Sequence, residues 1–166
     1  MKKIKYSILT FSVLLCVLLC CTVTVFATGE RHAVSRVLPS EPYYTEETLN
    51  VPAMNGSADT RRDLANGYAG AGSFKCTTGT TASFYTVLNE HDFGADACII
   101  NSDGAKRSAW ARDLLTDTIR YANLDSIVTQ GIEYYMRVSS DFLQASAFDI
   151  TVRFSPDKMT KNEMMK

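Results

Sequence analysis

His91 is flanked directly by Glu90 and Asp92, which makes it the first place to look for acid–base chemistry. Such a base would serve a Ser or Cys nucleophile if a third group oriented its ring. No Gly-x-Ser-x-Gly turn accompanies it, and the other histidine, His32, lies in an N-terminal extension. His91 therefore reads as a loop histidine, and the chain as one without enzymatic activity.

A second set of oxygen-bearing residues, Asp92, Asp96, Asn101 and Asp103, falls near two strand ends. Calcium takes ligands of that type from loops. Aspartate and asparagine also bond their own backbone in turns, and this is the preferred reading, so no cofactor is expected. Cys76 and Cys98 lack the close spacing of a zinc site. The third possibility is binding by exposed aromatic faces. In the run Glu133 to Ser139, an inward Tyr134 turns Tyr135 and Arg137 outward, and Trp110 can join them on a solvent-facing sheet. Flat rings stack on sugars or peptides at low entropic cost. For Trp110 itself the preferred reading is a place in the core, as the largest buried side chain of a small sandwich.

These residues need strands to position them. From Gly131 to Phe154 the chain alternates: Ile132, Tyr134, Met136 and Val138, then Phe148, Ile150, Val152 and Phe154, with polar residues between. Two such runs in succession predict an antiparallel pair that needs a second layer. Shorter runs supply it: Ser73–Thr77, Ala82–Leu88, Ala97–Ile100 closed by the turn Asn101–Gly104, then Ala105–Leu115 and Thr118–Ala122. Ala105–Leu115 is ambiguous between helix and strand and is assigned as strand because of its place in the meander. The result is an all-β protein, an antiparallel β-sandwich over residues 69–155. Residues 28–68, broken by Pro39, Pro42 and Pro52, form an irregular extension with one possible edge strand at Thr48–Val51. Residues 156–166 are polar and predicted to be disordered.

Lys2, Lys3 and Lys5 precede an apolar run from Ile8 to Phe26, and Val25-Phe26-Ala27 fits a cleavage site, so residues 1–27 read as a signal peptide. A retained anchor is the alternative. After cleavage no stable membrane insertion is expected, and the chain is placed outside the cell or at its surface. Removing three leader lysines from 17 basic residues against 18 acidic ones leaves a net charge of −4. With no clustered Lys or Arg, nucleic acid is excluded as a partner. Three cysteines leave with the leader, and a bond between Cys76 and Cys98 would close a loop of about 23 residues, worth roughly 3 kcal/mol.

Phe74-Lys75-Cys76, the strand Ala82–Leu88, the run Ala95-Asp96-Ala97-Cys98-Ile99-Ile100 ending in Asn101-Ser102-Asp103-Gly104, and Tyr134-Tyr135-Met136-Arg137-Val138 together resemble the bacterial pre-peptidase C-terminal domain, over Ser73 to Ser139. The resemblance implies a jelly-roll-like sandwich serving as an accessory or matrix-binding module; it carries over no ligand position. The expected function is a secreted, non-enzymatic binding module for an extracellular glycan or matrix component. The alternative is an accessory protein whose residues 31–66 add a strand to a partner's sheet edge.

Overall fold

In the computed structural model, which describes residues 39–61, 70–91 and 93–166, the chain from Thr45 onward is built of strands. The leader, His32, Arg62 and Asp92 lie outside the described residues. The strands are β1 (Thr45–Val51), β2 (Ser57–Asp59), β3 (Ser73–Phe74), β4 (Thr81–Asn89), β5 (Ala95–Ile100), β6 (Ala111–Leu114), β7 (Thr118–Asn123), β8 (Glu133–Ser139) and β9 (Phe148–Ser155), followed by a short helix α1 (Lys161–Met164).

Two antiparallel sheets pack face to face. The first has the order β1-β9-β4-β7 and the second β2-β8-β5-β6, with β3 pairing the other end of β8. Counting β2 and β3 as one interrupted strand, the pairs nest: β1 with β9, β2/β3 with β8, β4 with β7, β5 with β6. A long hairpin wound on itself gives that order, which is the jelly roll. The alternating runs bury the side chains expected of them. Phe148, Ile150, Val152 and Phe154 meet Tyr134, Met136 and Val138 in the common core, with Phe84, Ile99 and Leu114 filling around them.

The two runs are not partners in a ladder, however. β8 pairs with β5 and β2, and β9 pairs with β4 and β1. They face each other across the core, because the connection between them crosses from one sheet to the other. Period-two patterning fixes which face is buried but does not choose the neighbour.

Three boundaries also differ from expectation. The edge strand of the extension starts at Thr45, not Thr48, and lies in register with β9 from Thr45↔Phe154 to Val51↔Phe148. It ends before Pro52, which cannot donate to a ladder. The sandwich thus begins well before residue 69, and Thr45–Val51 and Ser57–Asp59, which fall in the segment expected to pair with a partner, are paired within it. Within Ala105–Leu115 only Ala111–Leu114 enters a regular ladder, and Lys106 and Ser108 make single bridges.

The third correction is the tail. Residues 156–166 are packed, not disordered. Met159 and Met164 are buried against Tyr85, with Tyr44, Val87 and Ile119 around them, on the outer face of the first sheet. Thr160 and Glu163 close a reciprocal capping box at the start of α1. Arg153 Nη1 donates to the Met164 carbonyl at 2.6 Å and Tyr121 Oη to the Met159 carbonyl at 3.1 Å. Two methionines in a charged segment give no periodic signal, yet their burial is what holds it down.

At the root of this strap Lys75 and Asp157 form an ion pair with side chains 2% and 0% exposed. Asp157 also accepts from the Cys76 N–H at 2.6 Å, the Thr77 N–H at 3.0 Å and the Thr77 hydroxyl at 2.6 Å. Burial alone would raise this carboxyl, but the bonds from Lys75, Thr77 and Cys76 outweigh it and hold it below the ordinary carboxylate range.

The expected disulfide is absent: Cys76 and Cys98 are both free and buried. Cys98 lies opposite Arg137 in the β5–β8 ladder. The Cys76 carbonyl accepts from Gln130 Nε2 at 2.6 Å, and the backbone of Lys75 bonds to Gly131 and Ile132. From Gly131 to Arg137 extended chain covers roughly 20 Å at about 3.3 Å per residue, whereas a disulfide needs Cα atoms about 4.4–6.8 Å apart.

Candidate binding face

Inward Tyr134, Met136 and Val138 force Glu133, Tyr135, Arg137 and Ser139 of β8 to the outer face of the second sheet, where all four are half-buried. Opposite them on β5, Cys98 faces Arg137, Ile100 faces Tyr135 and Asp96 faces Ser139. Ala97↔Ala111 sets the register of β6, so Trp110 falls beside Cys98 and Arg112 beside Asp96. Tyr135, Arg137 and Trp110 therefore share one face, with the Arg137 and Trp110 backbones two strand spacings, about 10 Å, apart. The floor between them is Cys98 and Ile100, both fully buried although they point outward.

The polar groups of this face are held in place. Arg61 forks onto Asp59 through Nε at 3.1 Å and Nη2 at 2.8 Å, and Arg137 Nη2 reaches the same carboxylate at 3.3 Å. Burial would raise the Asp59 carboxyl; the hydrogen bonds and charge of Arg61, with Arg137, overcome this and hold it low. Burial pushes the Cys98 thiol up to about 12, against a smaller opposing pull from Arg137 and Lys106. A thiol held that high is protonated at neutral pH, and the thiolate is the form that attacks or binds metal. Lys106 Nζ lies 5.8 Å from the centroid of the half-buried Trp110 ring.

At the Asp96 end the face drops into a cleft of about 410 Å³, within the range of small-ligand sites. Its walls come from separate segments: Asn55 from the β1–β2 turn, Asp96 and Gly94 at the start of β5, Trp110 just before β6 with Arg112 and Asp113 in it, and Ser139 at the end of β8 with Asp141 beyond it. Arg112, largely exposed, pairs with Asp96 across the ladder. Asn55 and Asp113 both take positive φ, 60° and 57°, a conformation Asn and Asp tolerate better than most residues. A Cβ on Gly94 would sit 2.7 Å from the Asp113 Cα, so glycine is what lets the two segments meet.

The oxygen set considered for calcium is not assembled. Asn101 Oδ1 accepts from the N–H of Asp103 at 3.2 Å and of Ala105 at 2.8 Å, which is turn chemistry. Asp96 lies at the opposite end of β5 and is paired with Arg112. Among the described residues no group of three acidic, His or Cys side chains is placed to hold a metal.

His91 has a neighbour that the sequence did not suggest. Ser146 Oγ lies 3.3 Å from its Nε2, while the ring stacks on Phe93 at 6.4 Å and meets Phe148 edge-on at 5.8 Å. The cleft was likewise invisible in the sequence, since its residues are spread from Asn55 to Asp141 and only Asp96 and Trp110 had been singled out. The chain matches no family model, no curated protein and no solved structure.

Proposed function

We propose that the chain is an exported, non-enzymatic binding module that takes a glycan across the outer face of its second sheet. The observation that carries this reading is the asymmetry of the two outer faces. The first sheet is partly covered by the chain's own strap, which packs over Tyr85, Val87 and Ile119, and Thr48 with Thr151 and Asn50 with Asp149 tie off polar groups on the part left open. The second presents Tyr135, Arg137 and Trp110 half-exposed on a dry floor, next to an open polar cleft. Rings and a guanidinium fixed on a rigid sheet suit a ligand with flat apolar faces and many hydroxyls. The resemblance to accessory modules of secreted proteases points the same way, and the leader supports export. A protein partner docking on residues 31–66 is less favoured, because part of that segment is occupied within the sandwich.

The test is calorimetric titration of the chain from Thr28 with a panel of cell-wall and matrix polysaccharides, followed by Trp110→Ala and Tyr135→Ala. Each variant should keep its melting temperature and lose about 1–2 kcal/mol of binding, roughly five- to thirtyfold. Binding that neither substitution weakens would refute the sheet-face reading.

A further inference from the structure

The cleft beside Trp110 has a chemical bias of its own. Of its charged residues only Asp96 is neutralised, by Arg112. The carboxylates of Asp113 and Asp141, the carboxamide of Asn55 and the indole N–H of Trp110 have no hydrogen-bond partner among the described residues. These groups are not buried orphans, since among the described residues the one fully buried side-chain polar atom without a partner is Thr86 Oγ1. They face solvent and are open to a ligand. Together they offer two carboxylates, an amide carbonyl and a few N–H donors around one aromatic wall. A sugar hydroxyl both donates and accepts, so a polyhydroxyl ring can satisfy such a mixed set. Acceptors predominate, and Asp96, Asp113 and Asp141 against Arg112 leave a formal charge of −2 on the cleft walls.

We infer that this cleft is the end subsite of the binding face, that it takes an uncharged sugar unit, and that it turns away glycans carrying carboxylate or sulfate. The inference rests on the reading of the second sheet as a glycan-binding face and adds the class of glycan. An acidic sugar entering the cleft would bring a negative charge toward two unpaired carboxylates. Its own carboxylate could not donate to them, whereas the hydroxymethyl group it replaces could. Trp110 belongs to both the sheet face and the cleft, so a chain lying across Arg137 and Trp110 leads into the subsite without a gap.

The experiment uses matched oligosaccharides that differ only at C6: β-1,4-glucan against its glucuronan, mannan against mannuronan, and galactan against galacturonan. Affinity is measured at low and at physiological salt for the chain from Thr28, for Trp110→Ala and for the double variant Asp113→Asn/Asp141→Asn. For a pair that binds, the neutral member should bind about tenfold more tightly at low salt, the scale set by one like charge in a partly wetted cleft. Salt should narrow the gap, and the double variant should close it, read as the ratio of neutral to acidic affinity within that variant whatever the change in neutral binding itself. Equal binding of both members, or a preference for the acidic one, overturns the inference and leaves the sheet-face reading standing. So does a preference that the double variant does not alter. Failure of every oligomer to bind removes the sheet-face reading and this inference with it.

Discussion

Replacing Asp157 with leucine should cost far more than replacing Lys75 with methionine, although the two side chains form one ion pair. Without Asp157, the Lys75 ammonium keeps only the Thr77 hydroxyl at 3.3 Å, inside a protein where it is 2% exposed. The N–H groups of Cys76 and Thr77 also lose their acceptor. An uncompensated buried charge of this kind costs about 3–5 kcal/mol. Without Lys75, the carboxylate keeps two backbone N–H groups and the Thr77 hydroxyl, all within 3.0 Å. Such a nest supports a carboxylate well, and the loss should be about 1–2 kcal/mol. The double variant puts two apolar side chains of similar volume at the site. It should be more stable than Asp157→Leu alone, with a coupling of about 2 kcal/mol or more. Urea unfolding at pH 7, followed by fluorescence of the single tryptophan, Trp110, measures all three. Equal costs, the reverse order, or strict additivity would refute the idea that the backbone nest, more than the lysine, carries the carboxylate.

Two further outcomes follow from the same physical terms. Asp157 and Asp59 are both held below their unfolded values, so their stabilisation is complete above about pH 4 to 5 and is lost as pH falls through the depressed values; urea midpoints should be flat from pH 7 to 5 and drop below about 4, less steeply in Asp157→Leu. Thiol titration should find Cys76 and Cys98 free in denaturant, and in the folded protein Cys98, buried and pushed up to about 12, should react far more slowly than in the unfolded chain.

How far the sequence could be read depended on the range of the interaction. Which face of β8 is buried follows from alternation within that strand, and so the outward placement of Tyr135 and Arg137 was legible. The choice of partner strand was not, because β8 and β9 carry the same pattern and differ only in where the chain crosses the core. Lys75 and Asp157 lie far apart in the chain and look like ordinary surface charges until topology brings them together. Met159 and Met164 form no period, so burial of the tail left no local trace. Asn101 and Asp103 could be assigned to a turn because their hydrogen bonds close within a few residues. The cleft depends on the β1–β2, β4–β5 and β8–β9 connections meeting beside β6, which no local signal could announce.

The nested winding also constrains the order in which the molecule can form. Among the described strands β1 forms a ladder with β9 alone, and the Thr45 backbone finds its ladder partner only when Phe154 is present. During synthesis the first strand to appear must wait for the last, and β8 must arrive before β2 and β3 have anything to pair with. The hairpin β5–β6, and the pair β4–β7 that encloses it in the chain, are the ones that can close early. A chain with so many distant pairings folds slowly, and until β9 arrives it exposes the apolar edges of its central strands. Removing β9 would therefore take from β1 its ladder partner and leave β4 paired with β7 on one side only, which keeps the sandwich from closing.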